Sequence, residues 1–241
     1  RITEWLNKNY HDDSLLWVVS DVSLKHVGNN ILSYRYVLHL MELSEKLRYK
    51  KELPFPKINE KKIGDAAAAV VVPTLDRAHI TKAWWGLRIL PSVLHNKPFD
   101  QFNIKHANDI HDNAAGAIID GISDKKIILY QGIVHRERPL KPFLDAVKLL
   151  GEQYVFVTMG ARDPLSGQND NQYAHIPFVQ PPFHLEVTSW AHVGVLSYFP
   201  VKAQYSILNA VFCAPNKSFE YARFGIPMIS NDIPGMTHTI N

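Results

Sequence analysis

Short, continuously apolar runs recur along this chain and alternate with segments of helical pattern. In the first half they are Leu15–Ser20, Tyr36–Leu40, Ala67–Val72 and Ile89–Leu94. In the second half they are Ile127–Tyr130, Tyr154–Met159, Val193–Ser197 and Pro227–Ser230. A strand that is apolar at every position, not at every second one, must be buried on both faces. Interleaved helices supply that cover, so the pattern predicts an α/β fold with parallel sheets. The helical segments are Leu24–Leu32, Met41–Leu53, Asn59–Asp65, Asp76–Trp84, Asn113–Gly121, Glu186–Ala191 and Ser218–Phe224, with Asp76 as an N-cap. One more is marked by Leu140, Phe143, Leu144 and Val147, the i, i+3, i+4, i+7 stripe of an amphipathic helix. Between Lys97 and Asp124 the chain turns polar and rich in Asn, Asp and His, which reads as an interdomain connection. This predicts two Rossmann-like halves, residues 1–113 and 114–241.

The chain has 241 residues, 46% hydrophobic and 20% charged, enough for a sizeable core in each half. Its formal charge of +3 is mildly basic and too small to argue for nucleic-acid binding. The single Cys213 excludes an intrachain disulfide and a cysteine-based zinc site, and fits a reducing cytoplasm. No stretch approaches the roughly 20 apolar residues of a membrane span. The sequence opens on Arg1 without a signal-peptide pattern, and both ends read as cut. Lys46–Lys62 mixes basic residues with Tyr49 and Phe55. It reads either as a solvated helix and loop diluted by Glu45, Glu52 and Glu60, or as a peripheral contact with anionic lipid.

The most informative stretch is Ala214–Gly235. Pro215 and Asn216 are turn residues, Lys217–Phe224 is a short helical run, and Gly225 suits the position after a helix. A strand over Pro227–Ser230 follows. A helix that opens from a polar turn presents unpaired N–H groups and the positive end of its dipole, a seat for phosphate. Glu220, one turn in, can accept hydrogen bonds from hydroxyls of whatever carries that phosphate. An ordinary helix–strand unit with a solvated glutamate has the same sequence features.

The Pro-Asn-Lys-Ser-Phe-Glu-Tyr run at 215–221, followed by Gly225-Ile226-Pro227 and an apolar strand, resembles the nucleotide-sugar signature of glycosyltransferase family 4. That resemblance implies a GT-B fold, two Rossmann-like domains facing a cleft, and transfer of a sugar from a nucleoside-diphosphate donor with retention of configuration. It implies a UDP- or GDP-linked donor and a glycan or lipid-linked acceptor in surface-polysaccharide or glycoconjugate synthesis. The setting would be cytoplasmic or peripheral at the inner membrane face.

By the same resemblance Glu220 binds the donor ribose, and Ser218 and Phe219 belong to the donor-binding turn. Lys217 meets the donor phosphates; its stem could equally cover apolar surface. Gly132 resembles the glycine that lets the chain approach the donor, and Arg136 or Arg138 just beyond it meets the diphosphate. Arg136 fits the pattern slightly better. Gly160, with Phe178–Gln180, falls where relatives hold the base. His39 stands where a histidine faces the donor sugar, although a lone histidine in an apolar strand also reads as a core residue. The family often has a glutamate eight positions before the one at 220; here that position is Phe212, with Asn209 as a polar substitute. No Asp-x-Asp occurs in the chain, which supports a mechanism without a metal, in which cations and a helix dipole stabilise the leaving diphosphate. Two other readings stand beside this one: a nucleotide-sugar epimerase of the same architecture, and a non-catalytic nucleotide-sugar-binding or partner subunit.

Overall fold

The computed structural model describes residues 2–45, 59–98, 108–136, 138–167, 171–201 and 206–240. In chain order the elements are α1 (Ile2–Asn9), β1 (Leu16–Val19), α2 (Ser20–Val27), a 3-10 helix (Gly28–Ser33), β2 (Tyr36–His39), α3 (Glu60–Ala66), β3 (Ala69–Val72), α4 (Leu75–Trp85) and β4 (Ser92–Val93). Then come α5 (Asn113–Asp120), β5 (Lys126–Gln131), α6 (Lys141–Leu150), β6 (Tyr154–Met159), β7 (Tyr173–Ile176), α7 (His184–Thr188), β8 (Val193–Leu196), α8 (Ile207–Val211), α9 (Asn216–Arg223), β9 (Met228–Ser230) and α10 (Pro234–Ile240).

The chain divides into two compact units. One holds Arg1–His95 with Lys202–Ala214, the other Asn96–Val201 with Pro215–Asn241. The first contains a four-stranded parallel sheet in the order β1-β2-β3-β4. One face is packed by Val18, Tyr36, Leu38, Val70 and Val72 against Leu24, Ile31, Ile63, Ala78 and Trp85 from the helices. The Tyr36 hydroxyl donates to the Ile63 carbonyl at 2.6 Å, and burial pushes its pKa up to about 12. Arg77, buried on α4, gathers three carbonyls: Nε donates to Phe212 O (2.6 Å), Nη1 to Met41 O (2.8 Å) and Nη2 to Asn209 O (3.2 Å). Those bonds tie Asn209 and Phe212 to the first unit, far in sequence from the rest of it.

The second unit contains a five-stranded parallel sheet in the order β7-β6-β5-β8-β9. Leu144 and Val147 of α6, with Leu140 at its N-cap, lie on Ile128, Tyr130, Phe156 and Val195, as the apolar stripe predicts. On β8, Gly194 meets the ring of Tyr221 from α9. A Cβ at 194 would stand 2.4, 2.5 and 2.6 Å from three atoms of that ring. Tyr221 is fully buried and donates to Leu129 O at 2.9 Å, and burial holds its phenol well above the usual range, so it remains a donor. The absent side chain at 194 thus sets how closely α9 lies on the sheet.

Several elements differ from expectation. The helix expected over Leu24–Leu32 is an α-helix from Ser20 that gives way to a 3-10 turn at Gly28, whose φ of +61° ends the regular helix. Thr74, not Asp76, caps α4, its Oγ1 accepting from Arg77 N at 3.4 Å. The strand expected over Ile89–Leu94 shortens to β4. Residues 41–45 are not helical, and the remainder of the expected Met41–Leu53 helix lies outside the described residues, as does most of the basic Lys46–Lys62 stretch. Strand β7 was not foreseen, because Tyr173-Ala174-His175-Ile176 is not apolar throughout; it is an edge strand with partly exposed residues. Asn231–Gly235, read as a turn, leads into α10, with Pro234 and Gly235 already in its first turn. Among the described residues no helix is long and apolar enough to cross a membrane.

Candidate functional site

Ligands of open parallel sheets bind beyond the carboxyl ends of the strands. In the second unit that edge is built from the loops after β5, β6 and β8 and the start of α9. Strand β5 ends at Gln131, and Gly132 takes φ +109°, a conformation that favours glycine. Its amide donates to Met159 O at 2.8 Å. Gly160, just past β6, packs so closely that a Cβ there would stand 2.7 Å from Gly132 O. Gly132 is thus favoured by its backbone conformation and Gly160 by close backbone approach. The ammonium of Lys217 borders this loop, 3.8 Å from where a Gly132 Cβ would be.

Lys217 is buried in the first turn of α9, with Nζ 3.9 Å from the Tyr130 ring centroid and 5.6 Å from that of Tyr198. The Arg138 guanidinium lies 4.9 Å from the Tyr198 ring and donates from Nη1 to Ile133 O at 2.9 Å. The Tyr130 hydroxyl donates to the same carbonyl at 2.7 Å. Of the two arginines considered, Arg138 turns inward to this cluster while Arg136 is exposed. Pro215 precedes α9 without a side-chain cap, so the opening amides of the helix have no side-chain acceptor from it. Ser218 is buried and its hydroxyl donates to Pro215 O at 2.8 Å, closing that turn. Phe219 is half-buried, its ring 6.0 Å from Lys97 Nζ.

Glu220 is held on both oxygens. Gln131 Nε2 donates to Oε2 at 2.5 Å, and the His184 Nε2–H donates to Oε1 at 3.3 Å. The Thr188 hydroxyl donates to Gln131 Oε1 at 2.7 Å, which fixes the amide so that its NH2 group faces the carboxylate. Two charge-assisted donors orient the group and leave further lone-pair positions for hydroxyls. His184, Gln131, Thr188, Tyr130 and Tyr198 were not singled out in the sequence. Gln131 carried the best available signal, a polar residue closing an apolar strand.

Two sequence candidates sit in the first unit. His39 closes β2; burial lowers its pKa, Trp17 Nε1 donates to its Nδ1 at 3.5 Å, and its Nε2 is buried without a hydrogen-bond partner among the described residues. Asn209 is committed within the same unit, its Oδ1 accepting from Leu43 N and its Nδ2 donating to Glu42 Oε2, each at 2.8 Å. Among the described residues no group of three or more His, Cys, Asp or Glu is placed to hold a metal ion.

No protein family matches the sequence, and no curated protein does. Solved structures do resemble the fold. Anabaena Alr3699/HepE in complex with UDP matches with a TM-score of 0.63 at 12% identity, over 100% of this chain and 65% of that one. The UDP-forming α,α-trehalose-phosphate synthase of Burkholderia xenovorans, in complex with glucose-6-phosphate, matches with a TM-score of 0.63 at 9% identity, over 98% and 62%. Staphylococcus aureus MnaA with UDP matches with a TM-score of 0.57 at 13% identity, over 98% and 63%. The chain thus spans less than two thirds of the length of each of these proteins. At such identities the likeness is one of fold, an α/β fold with parallel sheets.

Proposed function

We propose that the second unit binds a nucleoside-diphosphate sugar and that the chain is part of a retaining glycosyltransferase that works without a metal. The observation that carries this reading is the convergence of two cations, a glycine-lined loop and a doubly held carboxylate at one sheet edge. Lys217 and Arg138 supply positive charge for the diphosphate, and the opening amides of α9 add the end of a helix dipole. Glu220 accepts hydrogen bonds from the ribose hydroxyls. Gly132 and Gly160 keep the loops thin where the donor approaches, and Gly160 with Phe178–Gln180 meets the base. In the reaction, the bond between the anomeric carbon and the diphosphate oxygen breaks. An acceptor hydroxyl attacks the same face, and its proton passes to the departing diphosphate. The acceptor class proposed is a glycan or a lipid-linked sugar, reached at or near a membrane surface. Arg136 remains a candidate for the diphosphate, and His39 for a role at the donor sugar.

A second reading has a specific observation behind it: the similar folds include a putative UDP-N-acetylglucosamine 2-epimerase from Listeria monocytogenes. An epimerase would use the same donor site and need no acceptor.

The experiment is a thermal-shift screen of the protein with UDP, GDP, ADP and dTDP, beside Glu220→Ala. A ligand at a hundred times its Kd stabilises by about 2.7 kcal/mol. One nucleotide should stabilise the wild-type chain and fail to stabilise the variant. No shift with any nucleotide would overturn the donor-site reading. Conversion of a UDP-sugar to its epimer in the absence of acceptor would favour the second reading.

A further inference from the structure

A buried ammonium is costly unless its surroundings compensate it, and two neighbouring cations repel. Yet the second unit brings Lys217 and Arg138 to a single aromatic ring. Tyr198, itself buried, has the lysine Nζ 5.6 Å and the arginine Cζ 4.9 Å from its centroid. Tyr130 takes the ammonium more closely, at 3.9 Å. A ring face attracts a cation through its quadrupole. Two such rings therefore help to hold the lysine and the arginine at one place.

The rings are themselves fixed. Tyr198 N donates to Asn231 Oδ1 at 2.8 Å, and Ser197, just before it, donates from Oγ to Pro139 O at 3.1 Å. Tyr130 and Arg138 share the Ile133 carbonyl as acceptor. Strand β5, the loop after it, the end of β8 and the first turn of α9 are thereby joined through one aromatic–cationic cluster.

We propose that Tyr198 is a positioning residue which keeps Lys217 and Arg138 together as a preformed receiver for a diphosphate, with Tyr130 as the second ring of the same shelf. This rests on the reading of the second unit as a nucleoside-diphosphate site. The specificity that follows is for the second phosphate. A diphosphate engages both cations, a monophosphate engages them less fully, and a nucleoside engages neither.

The test is calorimetric titration of the chain with UDP, UMP and uridine, comparing wild type with Tyr198→Phe and Tyr198→Leu at several salt concentrations. The phenylalanine variant keeps the ring and should bind UDP within about threefold of wild type. The leucine variant should weaken UDP by roughly tenfold or more, UMP by less, and uridine not at all. Its UDP affinity should also respond less steeply to salt. If the leucine variant does not fold, phenylalanines of increasing fluorination at position 198 keep the shape and weaken the quadrupole, and UDP affinity should fall stepwise. A leucine variant that binds UDP like wild type overturns the proposal. So does one that loses UDP and uridine equally, or a flat fluorination series, because the ring would then be structural. If wild type binds none of the three, the donor-site reading has failed first and the proposal falls with it.

Discussion

Gly194→Ala tests how the site is set by packing. The new methyl group would stand 2.4–2.6 Å from three ring atoms of Tyr221, about 1 Å inside ordinary van der Waals contact. The ring cannot retreat freely, because it is fully buried and its hydroxyl is anchored on Leu129 O at 2.9 Å. Overpacking of this kind costs about 1–3 kcal/mol. If the hydroxyl bond is lost as the ring moves, about 1 kcal/mol more is added. Taking about 2 kcal/mol as the centre, thermal unfolding should fall by roughly 4–8 °C for a chain of this size. A double-mutant cycle isolates the cause: in a Tyr221→Ala background the same methyl group has no ring to meet, so Gly194→Ala should then cost little. Helix α9 also carries Lys217 and Glu220, so UDP affinity should fall in the single variant. An unchanged melting temperature, or an equal cost with and without the ring, would refute the reasoning.

Glu220→Gln should weaken UDP by roughly 10–100-fold, because an amide there turns its own donors toward Gln131 or His184; wild type should also discriminate against 2′-deoxy-UDP, and calorimetry on the variant should show that discrimination lost. Gly116→Ala, in the interior of α5, is expected to act in the opposite direction to Gly194→Ala. Its Cβ meets Ile110 at 3.6–3.8 Å, ordinary contact, so removing a helical glycine should stabilise by about 0.5–1 kcal/mol, seen as a higher melting temperature. His39 is held below its ordinary pKa by burial, so the unfolded chain binds the extra proton first and stability is lost as pH falls below about 6.5. Denaturant titrations of His39→Phe should therefore show a flatter dependence of stability on pH in that range, and parallel slopes would count against it.

The parallel α/β class was legible because continuous apolar strands call for cover on both faces. Strands β5 and β6 have that cover, while Trp17 and Val19 of β1 and Ile229 of β9 stay exposed at the sheet edges. The strands of the second sheet followed their runs closely, with Tyr154–Met159 matching β6. Strand β7 escaped because an edge strand is not apolar throughout, so Tyr173 and His175 broke the pattern that betrays a central strand. At the candidate site, the turn and helix around Lys217 and Glu220 were visible as local chemistry. Their partners were not. Gln131, His184 and Thr188 lie 89, 36 and 32 positions from Glu220 in the numbering, and a hydrogen bond formed over such separations leaves no mark of spacing. Tyr130 likewise read as a strand residue, and Tyr198 stood just past the Val193–Ser197 run, until the fold brought Lys217 to both rings and Arg138 to the second.

The guanidinium of Arg77 has a consequence for how this chain can be cut. Because it holds the carbonyls of Asn209 and Phe212, the stretch around α8 is tied to a residue more than a hundred positions earlier. Neither unit is therefore a single uninterrupted stretch of polypeptide. A fragment begun at Asn96 would retain that segment but lose Arg77, which holds two of its carbonyls. Ending a fragment at His95 would strip Arg77 of two of its three acceptors. Modular dissection of this protein calls for a graft, with the segment that carries α8 replaced in one piece and supplied through a linker in the other, instead of one cleavage between halves.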